Sequence, residues 1–367
     1  MSRNKRKQKP KVGQAGQLSR PTSGQVALDA EAERYREDVK ALEKIPSTYQ
    51  GITDFFTRYQ TVQPFVLRQK TFAMIEAITN RPLICYVART NNLVPGIPVS
   101  IDDSDITGFK DMVNPISEKV VDIFLVSNGG SAEATERIVA LLRSRFEHIR
   151  FIVPANAFSA ATLMTFAGDE IVMDDMSTLG PIDPQIGGIP ARAILKAFEE
   201  IEEKIKKDGI QALAPYGPLI QKYDLHLIQI CRVAELLSRE LAEKWLSQFM
   251  FRGWEGEAKD KGDHVSKITD FFSDYDYHKS HSRGINRTVA KEKGLNIIFV
   301  ETMDPDLQGL YMSLYNQYQF LFDKSGCFKQ FENNRGINWG RQASVTPIQV
   351  PIQGPPQPRP ISPQQAR

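Results

Sequence analysis

A chain of 367 residues with 41% hydrophobic and 25% charged residues holds one large core or two smaller ones and has an ordinary globular composition. A net charge of +2 excludes a chain built as a whole to coat nucleic acid, and three scattered cysteines, Cys85, Cys231 and Cys327, argue against a disulfide framework or a zinc site. No stretch approaches the ~20 apolar residues of a membrane helix, and the N-terminus lacks the apolar run of a signal peptide, so a soluble, cytoplasmic protein is expected.

Residues 1–24 open with seven Lys or Arg and no acid, which reads as a disordered basic tail that solubilises rather than binds nucleic acid. Residues 25–64 read as an N-terminal helical segment, with helical charge spacing over 29–43, and 65–79 as a helix entering the core. A repeating pattern follows. Strand 82–90 precedes a helix at 104–116 with Ser104 as its cap. Strand 121–127 is apolar throughout and runs into Asn128-Gly129-Gly130. The helix at 131–146 carries Ala134, Ile138, Leu141 and Leu142 on one face. A third strand at 149–155, a short helix of small residues from Ser159, and a strand at 170–175 complete the pattern. Apolar strands alternating with helices predict an α/β fold whose parallel sheet is covered on both faces.

After residue 190 the chain turns helical. Segments 191–209 and 218–251 carry few strand signals, and Ile220, Tyr223, Leu227, Ile230, Ala234, Leu237 and Leu241 recur as a stripe predicted to be buried. A last helix is expected over 306–324. The Pro- and Gln-rich run from Ser344 cannot build a core, and a disordered tail is assigned to 336–367.

Two features stand at corresponding places, each at the carboxyl end of a strand and the amino end of the next helix, where open α/β sheets bind ligands. One is SNGGSAEAT, whose glycines can leave backbone N–H groups pointing outward. The other is Ser159 among Ala155, Ala157, Ala160 and Ala161. Taken singly, a Gly-Gly after a strand is most often a turn, and a serine opening a helix is most often an N-cap.

Taken together, FLVSNGGSAEATERIVALLR and IRFIVPANAFSAATLMTFAGDEIVMDDMSTLGPIDPQIGGIP resemble the serine dehydrogenase proteinase family, of Clp/crotonase fold and related to signal peptide peptidase A. HSRGINRTVAKEKGLNIIFVE and, weakly, KYDLHLIQIC extend the match, which covers residues 65–335. The resemblance implies a repeated ββα core with a parallel sheet and a helical C-terminal part. It also implies a serine peptidase that works without cofactor or metal, through an acyl-enzyme on Ser159. Gly129 or Gly130, together with Ala160, would supply the oxyanion N–H groups. Peptide or protein substrates and a homo-oligomer are the expected partners; membrane and nucleic acid are not.

The base that activates Ser159 is less plain. Clp proteases place a histidine shortly after the serine, and MSTLGPIDPQ has none. Signal peptide peptidase relatives use a lysine, which must be desolvated to become neutral. Lys204, Lys206 and Lys207 read as a solvated face. Lys196 lies among apolar neighbours. Lys222, beside the buried stripe and in the helix where those relatives keep their lysine, is the first choice. His281 is the rival, read rather as holding a loop. His148 is expected at the surface, and His264 and His278 in polar loops. Asp183 is read as a cap for the next helix rather than a part of the site entrance. A crotonase-type acyl-CoA enzyme and a non-catalytic oligomeric scaffold are the alternative functions.

Overall fold

The computed structural model describes residues 36–343, except 38 and 218–224. The basic tail at 1–24, the run from Ser344, and Lys222 with Ile220 and Tyr223 lie outside the described residues.

The chain enters through α1 (Tyr49–Arg58), capped by Thr48 Oγ1 accepting from the Gly51 N–H. α2 (Pro64–Thr79) follows, with proline at its first position, where no N–H is needed. Then come β1 (Leu83–Ala88), α3 (Asp105–Val113), β2 (Val120–Val126), α4 (Ala132–Arg145), β3 (His148–Val153), the two-residue β4 (Asn156–Ala157), α5 (Ala160–Phe166), β5 (Glu170–Met173) and β6 (Thr178–Leu179). After the small hairpin β7 (Gln185–Ile186) and β8 (Ile189–Pro190), the helical part comprises α6 (Ala191–Asp208), α7 (Leu225–Trp245), α8 (Ala258–Ser273) and α9 (Tyr275–His278). The remaining elements are β9 (Ile285–Asn286), α10 (Arg287–Glu292), β10 (Ile297–Phe299), α11 (Pro305–Lys324), β11 (Cys327–Asn333) and β12 (Asn338–Gln342).

Seven strands form the central sheet in the order β10-β5-β3-β2-β1-β11-β12. From β10 to β1 the neighbours are parallel, and β11 and β12 add antiparallel at one edge. Side chains alternate between two cores because a strand has period two. Along β1, Ile84 and Tyr86 face the core formed with α3, α4, α5, α7 and α8, whereas Leu83, Cys85 and Val87 face the one formed with α2 and α11. Burial on both faces explains why these strands read as unbroken apolar runs.

Several expectations need correction. Residues 338–342 belong to the sheet as β12, not to a tail: Trp339 stacks on Phe331 with ring centroids 4.3 Å apart, an anchor hidden in the polar run NWGRQ. The helix expected over 218–251 is α-helical in α7 and ends in a π-helical turn, Leu246–Met250. On α7, Ile230 is 52% exposed, while Cys231, Leu241, Ala242 and Trp245 are buried. His264 lies within α8, packed edge-on against Phe251 and tilted against Trp254, and His278 is a buried residue whose Nε2 meets the Phe271 carbonyl; burial pushes its pKa down. His148 opens β3 but is only half-exposed, with Nδ1 3.1 Å from Arg81. Among the described residues no helix is long and apolar enough to cross a membrane.

Candidate active site

The site is assembled where β2 ends. Ser127 accepts the Phe158 N–H at its carbonyl (3.0 Å) and donates its own N–H to the Asn156 carbonyl (3.1 Å), which stitches β4 alongside the end of β2. The chain then turns sharply into α5, and Ser159 is the residue at the turn. It has φ 52° and ψ −121°, a region that costs a non-glycine residue about 1–3 kcal/mol. A strained serine between a strand and a helix presents its hydroxyl to the outside of the turn. The surroundings hold this conformation: Ala161 N–H donates to the Phe158 carbonyl, and Thr162 Oγ1 bonds both the Ala157 and Gly180 carbonyls. Ser159 occupies the N-cap position of α5, yet its hydroxyl makes no capping bond.

Gly129 and Gly130 lie against this turn. A Cβ on Gly129 would collide with the Phe158 carbonyl oxygen and stand 2.8 Å from Ser159 Cβ and 2.9 Å from Ala160 N, and its φ of 90° is itself one that favours glycine. The Gly129 N–H is already engaged, donating to Ser127 Oγ at 3.0 Å. The Gly129 carbonyl accepts from Ile101 N–H at 2.8 Å. Because a trans peptide sets C=O and N–H in opposite directions, the Gly130 N–H points away from Ile101. Gly129→Ala is expected to slow active-serine labelling by at least ~10²-fold, since the added methyl displaces the turn that carries Ser159. Labelling kinetics beside a thermal melt would separate this local effect from unfolding.

A three-stranded sheet brings two distant residues to the same place. β4 is parallel to β6, and β6 is antiparallel to β9. The chain therefore leaves β4 and β6, and enters β9, at one common edge. Ser159 follows β4, Asp183 follows β6 and His281 precedes β9. His281 Nδ1 lies 2.9 Å from Asp183 Oδ1, with the carboxylate buried and the imidazole side chain 17% exposed. Asp183 is thus the partner of His281, and not the helix cap it was expected to be. Pro190 stands at the N-cap of α6, with no side-chain bond.

Ser159, Gly129, Gly130 and His281 line one cavity of about 730 Å³, together with Asn128 and Gln185. A second recess of about 260 Å³ reaches behind Ser159 and Ala160 and is walled by Leu163, Ile182, Pro184 and Leu237. Lys196 is not part of either lining. Its Nζ is 2.7 Å from Asp276 on the outside of the helical part, and this hydrogen bond raises its pKa, the wrong direction for a neutral amine. The three cysteines are buried and free.

The covered parallel sheet and the diglycine beside a strained serine define a ClpP-like α/β protein. Residues 55–216 match the ClpP-like SDH-type serine proteinase family. It is 29% identical over 265 residues to the uncharacterized protein MJ0137 of Methanocaldococcus jannaschii, covering 71% of this chain and 82% of that one. It is 34% identical over 119 residues to MJ1495 of the same organism, covering 31% of this chain and spanning 40% of that relative's length. The 1510-N membrane-bound stomatin-specific protease is similar in two mutant structures. The first has 21% identity and a TM-score of 0.24, covering 31% of this chain and 62% of that one. The second, in complex with a substrate peptide, has 15% identity and a TM-score of 0.33, covering 66% and 82%.

Proposed function

We propose that this protein is a serine peptidase in which Ser159 is the nucleophile, His281 the general base and Asp183 the residue that orients it. The observation that carries this reading is the His281–Asp183 contact at the cavity that Ser159 lines. With Nδ1 donating to the carboxylate, Nε2 keeps its lone pair and can take the Ser159 proton. Ser159 Oγ then attacks the scissile carbonyl. The negative charge that develops on the carbonyl oxygen is met by the Gly130 and Ala160 N–H groups. Gly130 is preferred to Gly129 because the Gly129 N–H is already used by Ser127. The protonated imidazole passes its proton to the leaving amine, and water, activated by the same histidine, releases the acyl group.

His281 is preferred to Lys196 as the base because it lines the cavity, whereas Lys196 is paired with Asp276; Lys222 lies outside the described residues. The recess behind Ala160, which Ser131, Glu133 and Ser238 line along with Leu163, Ile182 and Leu237, suits a side chain of the substrate next to the cleaved bond. Labelling the protein with a fluorophosphonate and mapping the adduct by mass spectrometry tests the assignment. The modified peptide is expected to carry Ser159. An adduct on any other serine, or none with folded protein, overturns the reading.

A further inference from the structure

We propose that Lys329 is a positioning residue for the oxyanion site, acting through a relay of two peptide groups. The inference rests on the oxyanion role proposed above for Gly130. Lys329 sits in β11 with its side chain fully buried, and it touches neither Ser159 nor His281. Its ammonium has four contacts: the Ser100 carbonyl at 2.6 Å, Asp105 Oδ2 at 2.8 Å and Oδ1 at 3.0 Å, and Asp102 Oδ2 at 3.2 Å. Tyr86 donates to the same Asp105 carboxylate at 2.9 Å. The carboxylates make a buried ammonium tolerable, since an unpaired one would be prohibitively costly. The shortest contact, however, goes to a backbone carbonyl.

That carbonyl begins a chain. The peptide joining Ser100 to Ile101 accepts from Lys329 at its oxygen and donates its N–H to the Gly129 carbonyl at 2.8 Å. The next peptide, joining Gly129 to Gly130, accepts there and presents the Gly130 N–H on its far side. Both peptide dipoles run in the same sense from the ammonium. A charge-assisted bond at one end polarises each successive donor, so the Gly130 N–H becomes a stronger donor than an isolated amide. The relay is also stiff. Ser131 N–H donates to the Ile101 carbonyl at 2.9 Å, and a Cβ on Gly130 would collide with the Ile101 backbone, so the two segments cannot shift independently. Lys329 thereby fixes both the direction and the strength of an oxyanion donor that it never touches.

The sequence offers a direct readout. Only Gly130 and Gly188 follow another glycine. Protein labelled with carbonyl-¹³C, ¹⁵N-glycine therefore shows two correlations in an HNCO spectrum, and a Gly188→Ala sample assigns them. Lys329→Met is expected to move the Gly130 amide ¹H and ¹⁵N upfield and leave Gly188 in place. The double variant Lys329→Met, Asp105→Asn removes the stranded carboxylate, is expected to fold for that reason and should show the same shift. Lys329→Arg, which retains a cationic donor, should restore most of it.

In single-turnover acylation by p-nitrophenyl acetate, the loss should appear as about a tenfold slower step with little change in ester affinity, less than the ~10²-fold or more that follows loss of a whole donor. A Gly130 resonance that stays in place in the folded double variant overturns the relay. Failure of the wild type to acylate would instead count against the peptidase reading, and the glycine spectrum would still decide the relay.

Discussion

Replacing Ser159 by alanine is expected to lower peptide hydrolysis by about 10⁶-fold, the scale on which loss of a serine nucleophile acts when its base and oxyanion donors remain. The hydroxyl makes no capping bond to α5, so its removal takes away chemistry and little else. Alanine at φ 52° carries the same backbone strain as serine, and the thermal midpoint should stay close to the wild-type value. Fluorophosphonate labelling should disappear from the variant. Hydrolysis at an undiminished rate by well-folded Ser159→Ala protein would show that another group attacks the substrate.

The second large effect is expected at the base. His281→Ala should reduce turnover by about 10⁶-fold, since no base remains, and Asp183→Asn by about 10⁴-fold, because a histidine without its carboxylate partner is held in the wrong tautomer. The two losses should not add, since both act on one proton transfer. Asp183→Asn preserves the size of a buried residue that lies 2.9 Å from the imidazole, so folding is expected to survive it. A lysine-based mechanism predicts the reverse ordering. In that case Lys222→Ala would be inactive, while His281→Ala would retain most of its activity. Stopped assays of the three variants against one fluorogenic peptide separate the two mechanisms.

How legible each part was depends on how local its cause is. β1, β2, β3 and β5 could be read in order because double-sided burial leaves an uninterrupted apolar signature, whereas the two-residue β4 was not read. Both site segments on them, Asn128-Gly129-Gly130 and Ala155 to Ala161, were legible for the same reason: each adjoins a strongly patterned strand. β12 was missed because its residues are polar and its anchor is one stacked tryptophan. The exposed side of α7 was misread since Ile230 fits a three- and four-residue spacing whether or not another helix covers it.

The amino-acid sequence by itself determined a parallel α/β core, the serine at the start of a short helix and the diglycine after β2, because apolar periodicity and turn chemistry act over a few residues. Only the tertiary structure decided which residue pairs with which across the site. Asp183 and His281 are 98 positions apart and meet because β4, β6 and β9 share an edge, a pairing that no local spacing encodes. The proposed preference for Gly130 over Gly129 as oxyanion donor likewise rests on where one N–H is spent. Lys329 had no signal at all in the sequence, since its reach to Ser100 runs between segments more than two hundred residues apart.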